Sequence, residues 1–145
     1  SESALDEIMG IVVYQLNQKP MIIQKFIADS YGRDLRVIVV GGKAIACMER
    51  KASSGFRANY SRNGQVKVHP ITPEIRMLAE ASAEVLGLDI LGLDLLFDQG
   101  EFKVCEANAM PGFKGIELAT KVDIATQMLD HIQAEVLKRN SRLRP

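Results

Sequence analysis

The sequence contains neither of the two common glycine motifs that hold phosphate groups. No GxxxxGK and no GxGxxG occurs in the 145 residues, so neither a P-loop nor a dinucleotide-binding turn is available. No Ser-His or Cys-His signature of a nucleophilic enzyme is present either. A nucleotide-dependent function would therefore require a different fold and no covalent enzyme intermediate.

Neither sign of charge predominates, and long apolar runs are missing. Lys plus Arg and Asp plus Glu each number 18, which argues against a nucleic-acid or membrane partner held by bulk electrostatics. No apolar run reaches the length of a membrane span, and the first residues show no basic segment followed by an apolar signal core. We therefore expect a cytoplasmic protein.

Cysteine is scarce. Cys47 and Cys105 each lie in a strand-like run, which favours the role of a small hydrophobic side chain over a disulfide or a metal site. With 47% hydrophobic and 25% charged residues, the chain can bury a core, and its length is that of one domain, residues 1–145. An ordinary globular domain is predicted.

The first half of the sequence predicts one helix, several strands and a long polar loop. Gly41-Gly42 suits the positive φ angles of a tight turn between two strands. The predicted elements are a helix over Ala4–Gln15, a buried strand over Met21–Ile27, a polar loop over Ala28–Arg33, a hairpin of Leu35–Val40 and Ala44–Arg50, and a loop over Ala52–Gln65 that lies above the site.

Two further helices are predicted. Thr72-Pro73-Glu74 is typical of a helix start and Gly87 of its end, while Thr120 with Asp123 resembles a capping box that opens the last helix. The buried stripes are predicted as Ile75, Leu78, Ala79, Val85 and Leu86, and as Ile124, Ala125, Met128, Leu129, Ile132 and Val136. A largely antiparallel sheet packed by two helices is an α+β fold.

A second hairpin carries the most informative polar residues. The run Leu93–Phe97 is joined to a strand ending in Glu106-Ala107-Asn108 by Asp98-Gln99-Gly100-Glu101. A three-residue loop would place Asp94 opposite Glu106, whereas a two-residue loop would pair Asp94 with Cys105 and turn Glu106 to the other face. We adopt the three-residue loop, because it keeps the row Leu91, Leu93, Leu95 and Phe97 apolar.

In that register Asp94, Glu106 and Asn108 share one face of the hairpin. Two carboxylates so close would repel unless a cation lies between them. Magnesium prefers carboxylate and carbonyl oxygens and completes its shell with water and phosphates. The pattern predicts a magnesium site; the alternative is that both acids merely face solvent on an amphipathic hairpin.

These stretches together resemble the RimK-type glutamate ligases of the ATP-grasp superfamily, over nearly the whole chain. Position 25 is usually acidic in that family and is Lys25 here. The stretches that carry the resemblance are Gln24-Lys25-Phe26-Ile27 with Gly32-Arg33-Asp34-Leu35-Arg36, Glu49-Arg50-Lys51 with Phe56-Arg57-Ala58-Asn59, Gly92-Leu93-Asp94, and Glu106-Ala107-Asn108-Ala109-Met110-Pro111-Gly112 with Gly115-Ile116-Glu117.

The resemblance implies a role for each of ten residues. Asp94, Glu106 and Asn108 would bind Mg²⁺, or Mn²⁺ in its place; the backbone of Lys25 and Phe26 would meet adenine, Asp34 would contact ribose, and Arg57 and Asn59 would approach the nucleotide from the loop. Arg36 and Arg50 are the candidate catalytic residues at the transferring phosphoryl group. For both arginines the alternative is a surface ion pair with Glu49, Asp34 or another acid.

The resemblance also implies an activity. Such a ligase uses ATP to join an amino acid, here glutamate, to an amino-acid or peptide carboxylate through an acyl phosphate. Family members carry an upstream half-domain and an N-terminal domain that these residues do not include, so we expect the C-terminal portion of an ATP-grasp fold, weak ATP binding, no turnover by itself, and self-association through the exposed edge. The alternative is a non-catalytic nucleotide-binding or oligomerising module. Gly112–Glu117 either touches the acceptor or simply connects elements.

Overall fold

The described residues, 2–15, 22, 24–53 and 65–142, form four α-helices and one five-stranded sheet in a computed structural model. The helices are α1 (Glu2–Gln15), α2 (Pro73–Leu86), α3 (Lys114–Thr120) and α4 (Ile124–Arg142). The strands are β1 (Arg33–Val40), β2 (Lys43–Lys51), β3 (Gln65–Val68), β4 (Ile90–Asp98) and β5 (Glu101–Asn108). The sheet is antiparallel with the order β3-β2-β1-β4-β5, which confirms the α+β prediction.

The sheet is covered on both faces. Leu35, Val37 and Leu93 point to one face, where they pack in a cluster with Ile75 and Ala79 of α2. The other face carries Ile38, Ala46 and Met48, which pack with Ile116 of α3 and with Ile124 and Met128 of α4. Because side chains alternate along a strand, the strand residues that lie between those of the first face point to the second face. That face continues beyond the helices into the polar residues of the site.

Helix α2 begins and ends as predicted. The Thr72 hydroxyl accepts a hydrogen bond from the Ile75 amide at 3.3 Å, and Gly87 ends the helix in the left-handed conformation. The predicted stripe is wrong at its last turn, because Val85 and Leu86 are exposed. The helix turns these two side chains away from the sheet, so only its first three turns face the core.

The predicted start of the last helix at Thr120 is wrong. Residues Lys114–Thr120 form a separate helix, α3, which ends at Lys121 with a positive φ of 61°. The first amides of α4 then find other partners: Glu117 Oε1 accepts from Ile124 and Ala125 at 2.9 and 3.0 Å. Asp123, predicted as the inner residue of a capping box opened by Thr120, instead caps α4 itself and accepts from the Thr126 amide.

Two apolar segments are less buried than predicted. Ile22 and Gln24–Ile27 have no regular structure and are mostly exposed, so the predicted strand is wrong where the structure describes it; positions 21 and 23 lie outside the described residues. In α4, Ile124 and Met128 pack against the sheet, whereas Leu129, Ile132 and Val136 are exposed. Within the described part of the chain, no helix is long and apolar enough to cross a membrane.

Candidate functional site

The β4-β5 hairpin places Asp94 opposite Glu106, but by a route other than the predicted one. Its loop has two residues, Gln99 and Gly100, both with positive φ angles of 53° and 88°, so Asp98 pairs with Glu101. The predicted three-residue loop is therefore wrong. A bulge between the pairs Asp94-Glu106 and Leu95-Val104 leaves Cys105 without an opposite residue. This extra residue restores the facing carboxylates that an unbroken ladder would have separated.

The β1-β2 hairpin repeats the same arrangement. Gly41 and Gly42 form the two-residue turn, as predicted, and an irregularity leaves Ile45 as the extra residue of β2. The shift places Asp34 opposite Arg50. An uninterrupted ladder from the same turn would have placed Asp34 opposite Glu49, with two like charges across the strands. In both hairpins a bulge on the second strand therefore decides which charged residues meet.

The pairing of β1 with β2 and with β4 brings together two acids and two arginines, which we call the ion cluster: Asp34, Arg36, Arg50 and Asp94. Arg36 lies opposite Asp94 across β1 and β4, and its Nε and Nη2 donate to Oδ1 and Oδ2 at 2.8 and 2.7 Å. Arg50 Nε and Nη2 donate to Asp34 Oδ1 and Oδ2 at 2.6 and 2.8 Å. Arg50 Nη2 also donates to Asp94 Oδ2 at 2.8 Å and so links the two pairs.

The ion cluster is buried. Arg50 and Asp94 are 6% and 5% exposed, which excludes a solvent-facing Asp94 and makes the ion pairs of Arg50 internal rather than superficial. Burial lowers the pKa of Arg50, but its hydrogen bonds to Asp34 and the charge of Asp94 outweigh burial and raise that pKa above its ordinary value. Arg50 is therefore a permanent cation in the site. Arg36 and Arg50 do pair with acids, as the alternative predicted, but inside the protein.

The residues predicted to hold a metal lie together on β4 and β5, at one side of the ion cluster. Glu106 is exposed opposite buried Asp94, and Asn108 follows on the same strand, opposite Gly92. No group of three His, Cys, Asp or Glu side chains suited to a metal is present among the described residues. A metal held by Asp94 and Glu106 would therefore need Asn108 or ligand oxygens as further donors. Asp94 accepts three hydrogen bonds, and a carboxylate offers about four acceptor positions. Paired oxygen donors of this kind fit Mg²⁺.

The segment after β5 packs closely against β4 beside Asp94. A Cβ at Gly92 would lie 2.4 Å from Pro111 Cβ, so only glycine allows the segment after β5 to fold against β4. The same segment continues into α3, where Glu117 caps α4 through its carboxylate. The predicted alternative for Gly112–Glu117, a loop that connects elements, is wrong from Lys114 onward, where α3 begins, and contact with the acceptor stays a prediction.

The predicted nucleotide-contacting residues are only partly described. Lys25 and Phe26 are exposed, and the Phe26 ring lies edge-on to Tyr31 at 6.3 Å between centroids, just before β1. Tyr31 is 62% exposed and was not singled out by the sequence, where a lone tyrosine in a polar loop gives no signal. Arg57 and Asn59 lie outside the described residues. The structure leaves the adenine and loop assignments as predictions.

The two cysteines are free thiols in different surroundings. Cys47 is buried in the apolar core, which confirms its predicted role, and burial raises its pKa to about 12. Cys105 is half-buried at the bulge, and its pKa is raised first by burial and then by the charges of Asp94 and Glu106. Neither thiol is poised as a nucleophile.

Sequence reasoning found all four members of the ion cluster but not their connection. The signal was present in β1, where Asp34 and Arg36 occupy alternate positions and therefore share a face. Their partners could not be assigned, because the Arg36-Asp94 contact required the order of the strands and the Asp34-Arg50 contact required the bulge in β2. Within the β4-β5 hairpin alone Asp94 faces only Glu106, whereas β1 supplies Arg36 directly beside Asp94.

Solved structures with the same fold are ATP-grasp ligases. The ATP-grasp ligase PsnB, complexed with minimal precursor, Mg and ADP, has a TM-score of 0.64 at 24% identity over 84% of this chain and 37% of that chain. The macrocyclase MdnC bound with precursor peptide MdnA, from Microcystis aeruginosa, has a TM-score of 0.55 at 16% identity over 72% of this chain and 34% of that chain. The fold is therefore that of part of an ATP-grasp ligase.

The family is more specific than the fold. The model of the RimK-like ATP-grasp domain matches residues 2–132, and the chain belongs to this family. A probable alpha-L-glutamate ligase of Photobacterium profundum is 37% identical over 143 residues, 98% of this chain and 46% of the relative. A protein of the same description in Hydrogenovibrio crunogenus is 40% identical over 125 residues, 86% of this chain and 42% of the relative. The chain thus spans less than half the length of these relatives.

Proposed function

We propose that this chain forms the metal-binding and arginine-bearing part of an ATP-dependent carboxylate-amine ligase that adds glutamate to an amino-acid or peptide carboxylate. The observation that carries the proposal is the row Arg36-Asp94-Glu106, which crosses three adjacent strands of a RimK-like domain. Buried Asp94 accepts two hydrogen bonds from Arg36, the residue proposed to bind phosphate. On its other side Asp94 lies opposite Glu106, the second acid proposed to bind the metal. The relatives described as probable alpha-L-glutamate ligases support glutamate.

The arginines would act by position and charge. In the proposed reaction a substrate carboxylate takes the γ-phosphoryl group of ATP, releasing ADP and forming an acyl phosphate; an amine then attacks the acyl carbon and phosphate leaves. Negative charge spreads over the phosphoryl oxygens during transfer. Arg36 and Arg50 are held rigidly by bidentate bonds, so their remaining N–H groups can meet that charge without reorganisation.

Asp94, Glu106 and Asn108 would hold the divalent cation. A divalent cation held there would supply positive charge that offsets the negative charge of the phosphate groups. Asp94 is the rigid member, because three hydrogen bonds fix its carboxylate. Glu106 makes no ion pair with the residues described and is exposed, so its carboxylate can turn toward the ion.

Calorimetric titration tests the binding part of the proposal. We expect the 145-residue chain to bind ADP weakly with Mg²⁺, and Asp94→Asn or Glu106→Gln to weaken binding about tenfold, the effect of losing one charged contact. Glu101→Gln is the matched control: it removes an acid of the same hairpin whose side chain is 72% exposed and, among the described residues, forms an ion pair with Lys103 alone. Equal affinity for all four proteins would refute the metal assignment.

Turnover is a separate measurement. ADP release from ATP with glutamate and a carboxylate acceptor would show a complete ligase. Magnesium-dependent ADP binding without release is the result we expect for this chain, which spans less than half the length of its relatives. A longer protein that contains this domain should release ADP, and the same Asp94→Asn change should abolish release. Binding without release by the longer protein would instead identify a non-catalytic nucleotide-binding module.

A further inference from the structure

The tip of the β4-β5 hairpin, residues 96–103, extends beyond its neighbours in the sheet. β1 pairs with β4 only as far as Leu95, and β5 is the last strand of the sheet. Within this hairpin tip Phe97 lies opposite Phe102, and the amides of both residues point outward from the hairpin. The Phe102 amide donates to Glu74 Oε1 of α2 at 3.2 Å. The Phe97 amide points to the opposite side, where β1 no longer pairs with β4.

The segment before β1 takes the place of a neighbouring strand on that side. A single 3₁₀ turn, Ala28–Ser30, lies there, and the Ser30 hydroxyl accepts a hydrogen bond from the Phe97 amide at 2.6 Å. Asp29 Oδ2 of the same turn accepts from the Gln99 amide at 2.8 Å. Two side chains of one short segment are therefore bonded to the backbone of the hairpin tip, and they satisfy two amides that have no partner in a strand.

The bonded turn is also fixed from within. Ser30 is 8% exposed, and its own amide donates to the Ile27 carbonyl at 3.1 Å. Just before the turn, Lys25 and Phe26 are exposed, and the Phe26 ring lies edge-on to Tyr31, which follows the turn. An exposed stretch of backbone is thereby held against the hairpin that carries the predicted metal donors. A ligand would meet little of buried Ser30 itself, so its influence on binding depends on this attachment.

From this geometry we infer that Ser30 and Asp29 are positioning residues, which hold the predicted adenine-binding segment, Lys25 and Phe26, at a fixed distance from the metal site at Asp94. The inference rests on the proposed function, because it assumes that one nucleotide contacts both this segment and the metal. Such a ligand binds well only when both of its ends find their partners in place, since ordering a loose segment would lower the affinity. The two side chains should therefore matter for the whole nucleotide and not for the metal by itself.

Two probes of the full 145-residue chain separate these cases: ADP with Mg²⁺, measured by calorimetric titration, and Mn²⁺ alone, measured by the paramagnetic broadening of the hairpin amide signals. We expect Ser30→Ala to weaken ADP binding about tenfold, which corresponds to one lost hydrogen bond, and to leave the Mn²⁺ broadening unchanged. Ser30→Thr, which keeps the hydroxyl, should bind ADP nearly as the wild type does.

A second variant removes the other bond. Asp29→Ala should weaken ADP binding about threefold and should also leave the Mn²⁺ broadening unchanged. Because the Asp29 bond is exposed, this variant tests the inference even if Ser30→Ala does not fold.

Glu74→Ala is the matched control. It removes the acceptor of the Phe102 amide, which belongs to the same hairpin tip but is bonded to α2 rather than to the segment before β1. This variant should bind ADP and Mn²⁺ like the wild type. Hydrogen exchange should accelerate at the Phe97 amide in Ser30→Ala and at the Phe102 amide in Glu74→Ala, which shows that each variant loses the intended bond.

A purely structural role of Ser30 predicts different results. If Ser30 only stabilises the hairpin, Ser30→Ala weakens Mn²⁺ binding together with ADP binding, and Glu74→Ala weakens ADP binding as well. Either result, or unchanged ADP affinity in both Ser30→Ala and Asp29→Ala, overturns the inference and leaves the proposed function standing. No binding of ADP by the wild type overturns the proposed function and this inference with it.

Discussion

Arg36 and Asp94 face each other across β1 and β4 and share two hydrogen bonds of 2.8 and 2.7 Å. Arg50 adds a third bond to the same carboxylate from the other side. An acid placed in this way is held by two cations before any ligand arrives. The site is therefore organised by the protein's own charges, and it holds its arginines in fixed directions.

Removing Asp94 should destabilise the chain strongly. Asp94→Ala leaves Arg36 and Arg50 facing each other with one acid fewer, and breaking a buried pair in this way costs about 3 to 5 kcal/mol. The double variant Arg36→Met/Asp94→Leu should recover part of that loss, because no unpaired charge remains at that position. Urea unfolding measures both values. Strictly additive losses would show that the two side chains do not interact.

Gly92→Ala should destabilise the protein by about 1 to 3 kcal/mol, the usual cost of an added group in a packed place. The new Cβ would lie 2.4 Å from Pro111 Cβ and push the segment after β5 away from β4. Gly112→Ala is the matched control, because a Cβ there meets nothing within 4 Å. Thermal unfolding of the two variants should differ clearly; similar midpoints would contradict the close packing.

Deleting Cys105 should leave Asp94 opposite Glu106. The residue is the extra one in the bulge, so its removal produces a regular ladder with the same facing pair. Backbone contacts between the two strands, observed by nuclear Overhauser effects, should connect position 94 with Glu106 in both proteins. If the deletion instead pairs Asp94 with Ala107, the bulge is not at Cys105.

Asp123 should make the stability of α4 depend on pH at acidic values. Hydrogen bonds from the backbone and then the side chain of Thr126 hold the pKa of Asp123 below its ordinary value. The unfolded chain therefore takes up the proton more readily, and the stabilisation is present above the ordinary pKa and is lost as pH falls through the lower one. The unfolding free energy of Asp123→Asn, measured between about pH 6 and pH 2, should fall less steeply than that of the wild type. Parallel curves would refute this role.

Local signals in the sequence were sufficient for the elements that are bounded by a helix cap or by turn-forming glycines. Thr72-Pro73 and Gly87 delimited α2 correctly, and Gly41-Gly42 located the first turn. The predicted start of the last helix was wrong. Thr120 resembles a cap in the sequence, but its hydroxyl donates to the Ile116 carbonyl within α3. The separation of α3 from α4 depends on Lys121, whose positive φ gives no signal in the sequence.

The partners of the site residues depended on the tertiary structure. Asp94 and Glu106 were paired correctly from a wrong loop length, since the two-residue turn and the bulge at Cys105 cancel. Arg36 could be named from sequence, but its contact with Asp94 depends on β1 lying between β2 and β4, a pairing between strands far apart in the chain.

The amino-acid sequence by itself determined which residues carry the chemistry, because carboxylates and arginines on alternate positions of apolar strands must share a face. It also determined the family, through motifs along most of the chain. Only the tertiary structure decided that Asp34 pairs with Arg50 rather than facing Glu49, and that Asp94 pairs with both Arg36 and Arg50. The reason is physical: one extra residue in a strand changes every partner beyond it, and a bulge is selected by the packing of the whole sheet.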